Sequence, residues 1–205
     1  MRAYPIHTVL KIAVAVLLLT GCAADESVQQ TNDAAPLVEL SLDDDGLGDV
    51  LLGFPPETVI SDISAIYGEG DSDSQWIPSE PNIYGSCPGT QMRAVGWGSL
   101  VAIFIRDDAD ELGGRFYTYT YGYDYAENAG GVDPRELGLT TAAGIGLGST
   151  VGELADTYEA TVIVEGDADL DVWSFRIEGS EIRGLVSGPE RSDTVTLIEL
   201  ATGCS

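Results

Sequence analysis

The sequence predicts an α+β fold of two tandem repeats, each a short helix leading antiparallel strands, with the helices on one face of a sheet. Three observations predict it. A glycine turn opens a helix start twice, at Leu52-Gly53-Phe54-Pro55-Pro56-Glu57 and at Leu147-Gly148-Ser149-Thr150. Each is followed by strand-length runs separated by Gly, Asp and Ser turns. Setting Gly53 on Gly148 puts Val59 on Leu154 and Ile63 on Tyr158, an offset of 95 residues. Helices leading antiparallel strands in both halves are the pattern of an α+β domain.

The elements follow in order. Residues 1–21 read as a signal peptide: Arg2 and Lys11 are the charges, residues 12–19 are apolar, and Thr20-Gly21 precede Cys22. The apolar run is shorter than the roughly 18 residues that span a bilayer. Residues 22–36 are polar, without periodic apolar positions, and form a tether. Repeat 1 spans 37–125. Its helix places Val59, Ile60, Ile63 and Ile66 on one face and ends at Tyr67-Gly68. A loop over 69–90 holds Cys87, and strands are expected at 92–97, 100–106 and 115–123. Residues 126–139 are the linker, with Gly130-Gly131 and Pro134. Repeat 2 spans 140–205, with Ser149 as helix N-cap and strands at 161–165, 172–177, 181–187 and 194–200.

Composition narrows the chemistry. The formal charge is −25, from 9 basic and 34 acidic residues. Removing Arg2 and Lys11 with the signal peptide leaves seven arginines against the same 34 acids, or −27. His7 and Lys11 are the histidine and lysine of the whole sequence, and both lie before Cys22. A mature chain without them cannot build a Ser-His-Asp or Cys-His arrangement, an imidazole metal site or a lysine Schiff base. Carboxylate-pair chemistry survives that exclusion. So acidic a surface argues against nucleic acid and anionic lipid as partners.

With Cys22 acylated, Cys87 and Cys204 remain as a pair, and in an oxidising compartment two cysteines read as a disulfide. Asp167, Asp169, Asp171 and Glu178 have EF-hand spacing, but Val172 stands where glycine is required, so the run reads as a hairpin loop. The Gly144-x-Gly146-x-Gly148 run lacks the lysine of a phosphate loop and reads as a turn and helix start. No metal or cofactor is expected.

The candidate binding residues are Tyr117, Tyr119, Tyr121 and Tyr123, continued by Tyr125. Period-two spacing puts them on one strand face, with Phe116, Thr118 and Thr120 on the other. Tyrosine offers rigid apolar area with a polar tip, which suits recognition. A partly exposed structural ladder is the alternative. Burial beneath the helices would need a partner for each phenol. The face opposite the helices is therefore the expected site.

Leu19-Thr20-Gly21-Cys22 resembles the lipobox of bacterial lipoproteins, which implies acylation of Cys22 and attachment to the extracytoplasmic side of a cell membrane. The two glycine-led helix starts are similar to those of β-lactamase-inhibitory-protein-like domains and SmpA/OmlA-type lipoproteins. The Cys-Pro-Gly-Thr…Val-Gly-Trp-Gly run at 87–98, the Gly-Ile-Gly-Leu-Gly-Ser-Thr run at 144–150 and the closing Gly-Cys resemble those of actinobacterial lipoproteins. The resemblance implies tandem helix-plus-sheet repeats whose open sheet face binds protein. The functional expectation is a non-catalytic, lipid-anchored binding module with a protein partner. A carboxylate-based envelope hydrolase and a purely structural envelope lipoprotein are the alternatives.

Overall fold

A computed structural model describes residues 40–108, 113–122, 137–159, 162–167 and 172–204. Three two-residue strands come first, β1 (Leu42–Asp43), β2 (Gly46–Leu47) and β3 (Val50–Leu51), forming a small antiparallel sheet. Helix α1 (Pro56–Tyr67) follows. Pro56 suits the first turn because its missing N–H would have no partner there, and Glu57 complements the positive helix end. Gly68 stops the helix at φ 88°, its N–H bonded to the Ser64 carbonyl at 2.9 Å.

The main sheet begins with β4 (Ser72–Asp73) and β5 (Ile77–Pro78). Longer strands follow: β6 (Gln91–Trp97), β7 (Leu100–Arg106) and β8 (Arg115–Tyr121). Helix α2 (Val151–Tyr158) precedes β9 (Val162–Asp167), β10 (Val172–Ile177), β11 (Ile182–Val186) and β12 (Val195–Leu200). All pairings between these strands are antiparallel, in the order β4-β6-β7-β8-β12-β11-β10-β9, with β5 also beside β6. Thr150, rather than Ser149, caps α2. Its hydroxyl accepts the Glu153 N–H at 3.1 Å while the Glu153 carboxylate accepts the Thr150 N–H at 2.7 Å. Those hydrogen bonds hold the Glu153 carboxyl below its ordinary range.

The α+β expectation of two tandem repeats with helices along one face is thereby corrected. The described chain is mostly antiparallel β-sheet, twelve strands with two short helices. The strands of both halves join in one sheet through β8 and β12, where Tyr121 faces Ile198 and Thr120 faces Glu199. Length explains why the helices do not make a layer. Helices of 12 and 8 residues reach roughly 18 and 12 Å. The eight strands abreast span about 34 Å at the usual spacing. Other segments fill the difference: Leu42, Leu47 and Val50 of the small sheet, and Leu139 and Ile145, are buried in the main core beside Val59, Ile63, Val151 and Leu154 of the helices.

The opposite face is treated differently in the two halves. Behind β6 and β7, the segment 77–90 lies over Met92, Ala94, Val101, Ile103 and Ile105, which form a second buried cluster with Cys87. Strand β7 is consequently buried on both faces, as its unbroken Leu-Val-Ala-Ile-Phe-Ile run requires. Strand β10 alternates instead: Phe175 and Ile177 are buried, while Val172, Ser174 and Arg176 are exposed. Among the described residues, that half of the sheet has no second cover.

Candidate binding face

The tyrosine column does not form a surface. Tyr119 and Tyr121 are 0% and 1% exposed, on the core face with Trp97, Leu100, Phe104 and the helices. This corrects the expectation that they face away from the helices. A β-bulge in β8 breaks the alternation: Ile103 pairs with Thr118 but Phe104 pairs with Phe116, leaving Tyr117 as the extra residue. Phe116 therefore shares the core face with Tyr119 and Tyr121, while Tyr117 packs half-buried against the second cluster. Tyr123 lies outside the described residues, as do Tyr125 and Cys22. Burial of Tyr119 is satisfied by its hydroxyl donating to the Asp43 carbonyl at 3.1 Å. Burial first, and then the negative charges of Asp43, Asp44 and Asp45, push its phenol pKa well above the ordinary tyrosine value. Tyr67 is also raised, by burial and then by nearby Tyr121.

The cysteine pairing is present. Cys87 and Cys204 form a disulfide with Cα atoms 4.4 Å apart and 117 residues of sequence separation. It fastens the 77–90 segment to the chain after β12. Gly85, at φ 91°, lies so close to Cys204 that a Cβ would stand 3.1–3.2 Å from its backbone and side chain. A bonded turn closes the segment's tip, with Gly85 N–H on the Asn82 carbonyl at 3.0 Å and Tyr84 N–H on the Asn82 side chain at 2.8 Å.

The strap ends where the bare half of the sheet begins. Three contiguous depressions of about 310, 470 and 280 Å³ run across the outward side of β9–β12 and up to the strap. The first two share Arg176 and Arg183; the first and third share Leu185 and Glu199. Pairing explains the layout. One row across the strands reads Ile163, Arg176, Arg183, Glu199, and the next reads Glu165, Ser174, Leu185, Leu197. Arg183 Nε donates to Glu199 Oε1 at 2.9 Å, and Arg176 Nη2 stands 3.6 Å from Glu165 Oε1. Ile83, 53% exposed at the strap tip, adds apolar surface beside Leu185 and Leu197.

No family model matches this chain, and no curated protein matches it. It is similar to a solved structure, that of the uncharacterized protein yfeY from Escherichia coli, at 12% identity and a TM-score of 0.44, over 78% of this chain and 98% of that one.

Glu165 and Glu199 stand on strands three spacings apart, with two arginine-bearing strands between them. That is about 14 Å between backbones. No group of three or more potential metal ligands occurs among the described residues, and none of the described helices is long and apolar enough to cross a membrane. Reasoning on tyrosines overlooked this face, although its signal is in the sequence. Strand β7 is apolar on both sides, whereas β9–β12 place Glu165, Arg176, Arg183 and Glu199 at alternating outward positions. A half-buried alternation marks the strands left open on one side.

Proposed function

We propose that this chain is a non-catalytic, lipid-anchored binding module on the extracytoplasmic side of a cell membrane, with the outward side of β9–β12 as its contact face for a partner protein. The observation that carries the reading is the unequal cover of the sheet. A disulfide-fastened strap roofs one half, whereas the adjoining half presents a continuous strip of apolar and charged side chains. Strips of mixed apolar and arginine character suit protein contacts. The anchoring half of the proposal rests on Leu19-Thr20-Gly21-Cys22 and the apolar run before it. Two acyl chains supply the stable attachment that one cannot, and a disulfide suits an oxidising compartment.

Two experiments test the proposal. Cys22→Ala moves the protein from the membrane to the soluble fraction or medium; unchanged fractionation, with no lipid mass on the N-terminal peptide, refutes anchoring. A photo-crosslinking residue at Ser174, on the open face, is compared in living cells with one at Thr58, on the exposed side of α1. The face reading expects a discrete adduct from position 174 alone, and fails if both positions, or neither, yield one.

A further inference from the structure

We propose that Arg176 and Arg183 form a carboxylate-binding subsite on this face, and that the partner is a protein segment presenting an Asp or Glu side chain flanked by apolar residues. The inference rests on the binding-face reading and names the chemistry recognised there.

Placement of the arginines carries it. They occupy directly opposed positions on β10 and β11. Opposed residues hold their Cβ atoms about 5 Å apart, and like charges in that relation destabilise a sheet. Three other arginines serve as ties. Arg93 clamps Asp73 and Glu57, Arg106 stacks on Trp76 and bonds Gln91, and Arg191 bonds Asp156 and the Gly152 carbonyl. Arg176 and Arg183 are the two placed side by side on the open face, with side chains 57% and 42% exposed. Each guanidinium has five N–H donors. Among the described contacts, Arg183 commits only Nε, and Arg176 reaches its glutamate at 3.6 Å, too long for a hydrogen bond. Each is drawn toward a glutamate on its own outer side, yet both line the same two depressions, where one carboxylate can meet unused donors from both strands, the planar pairing in which arginine is strongest.

The surroundings set the rest of the partner's chemistry. The row is neutral, two arginines against Glu165 and Glu199, so a singly charged carboxylate is opposed less by those glutamates than a doubly charged phosphate. Leu185, Leu197 and Ile83 next to the pair call for apolar side chains beside the acid. The strongly acidic remainder of the chain repels segments rich in acids, which favours an isolated one.

The test is a selection of random twelve-residue peptides against the full chain held in detergent, with binding then measured to the wild type, to R176Q/R183Q and to Ser174→Trp. Recovered peptides should carry Asp or Glu beside an apolar residue. Replacing that acid by its amide, or the arginines by glutamine, should weaken binding about tenfold or more. The amide exchange on the peptide remains decisive even where the double variant folds poorly. Peptides lacking such an acid, or indifferent to both exchanges, overturn the subsite, as does recovery of no peptide. If indifferent peptides are still displaced by Ser174→Trp, the face remains and the carboxylate chemistry falls; if Ser174→Trp has no effect either, both readings fall.

Discussion

Removing one hydroxyl, by Tyr119→Phe, should destabilise the protein at neutral pH and cease to do so in alkali. At pH 7 the variant loses the bond from the phenol to the Asp43 carbonyl, a net loss of about 1 kcal/mol. The ring remains in place, so no cavity forms. The alkaline behaviour follows from linkage. The folded phenol holds its proton far above the ordinary range because it is buried and faces the Asp43–Asp45 carboxylates. The unfolded phenol releases it near pH 10. Above that pH the unfolded state binds fewer protons than the native state, so stability falls as pH rises. At pH 11 the wild type has lost about 1.4 kcal/mol through this residue alone, and phenylalanine loses none. The advantage of about 1 kcal/mol at pH 7 therefore vanishes or slightly reverses at pH 11. Raised tyrosines elsewhere, such as Tyr67 and Tyr84, affect both proteins equally and cancel in the difference. Urea unfolding at both pH values, followed by tryptophan fluorescence, measures the gap. A gap that is the same at pH 7 and pH 11 would refute the reasoning, since it would mean that the folded phenol titrates normally. Tyr119→Ala, by contrast, should cost about 3–5 kcal/mol by opening a cavity in the main core.

Further outcomes follow from other contacts. Cys87→Ser with Cys204→Ser frees a loop of 117 residues' separation and should cost about 4–5 kcal/mol on a chain-entropy model; a loss under about 1 kcal/mol in urea would show that the strap holds without it. Asp73→Asn removes the charge that Arg93, 12% exposed, meets through Nε at 2.9 Å and Nη2 at 2.7 Å, and should cost about 2 kcal/mol. The Arg93 hydrogen bond holds the Asp73 carboxyl below the usual range. Its stabilisation is present above the unfolded value near pH 4 and disappears as pH falls through the folded one, so acid titration of both proteins should show their gap closing. Gly184→Ala drives a Cβ into the Leu197 carbonyl and the Phe175 ring; thermal melting should report a loss of about 2 kcal/mol, and an unchanged Tm would mean that β11 and β12 shift apart freely.

Some of this molecule is determined residue by residue. Residues 23–205 hold no His or Lys, so no Ser-His-Asp arrangement or lysine Schiff base can be built from them whatever their fold. The pairing of Cys87 with Cys204, expected once Cys22 is set aside as the lipidation candidate, is the disulfide observed. The starts of both helices are local, because Pro56 removes one orphan N–H and the Thr150–Glu153 box satisfies others within a few residues. The unbroken apolar run of β7 likewise requires cover on both faces. The tertiary structure alone decided which side of each alternating strand turns inward. Period two separates two faces without saying which is buried, and a single extra residue exchanges them. The bulge at Tyr117 does so in β8, because pairing with β7 shifts between Ile103 and Phe104. That register depends on a partner strand and leaves no mark in residues 115–121 themselves. The pairings of β8 with β12, which merge the two halves, are likewise long-range. They exist because the core buries more apolar surface in one continuous sheet than two short helices could cover.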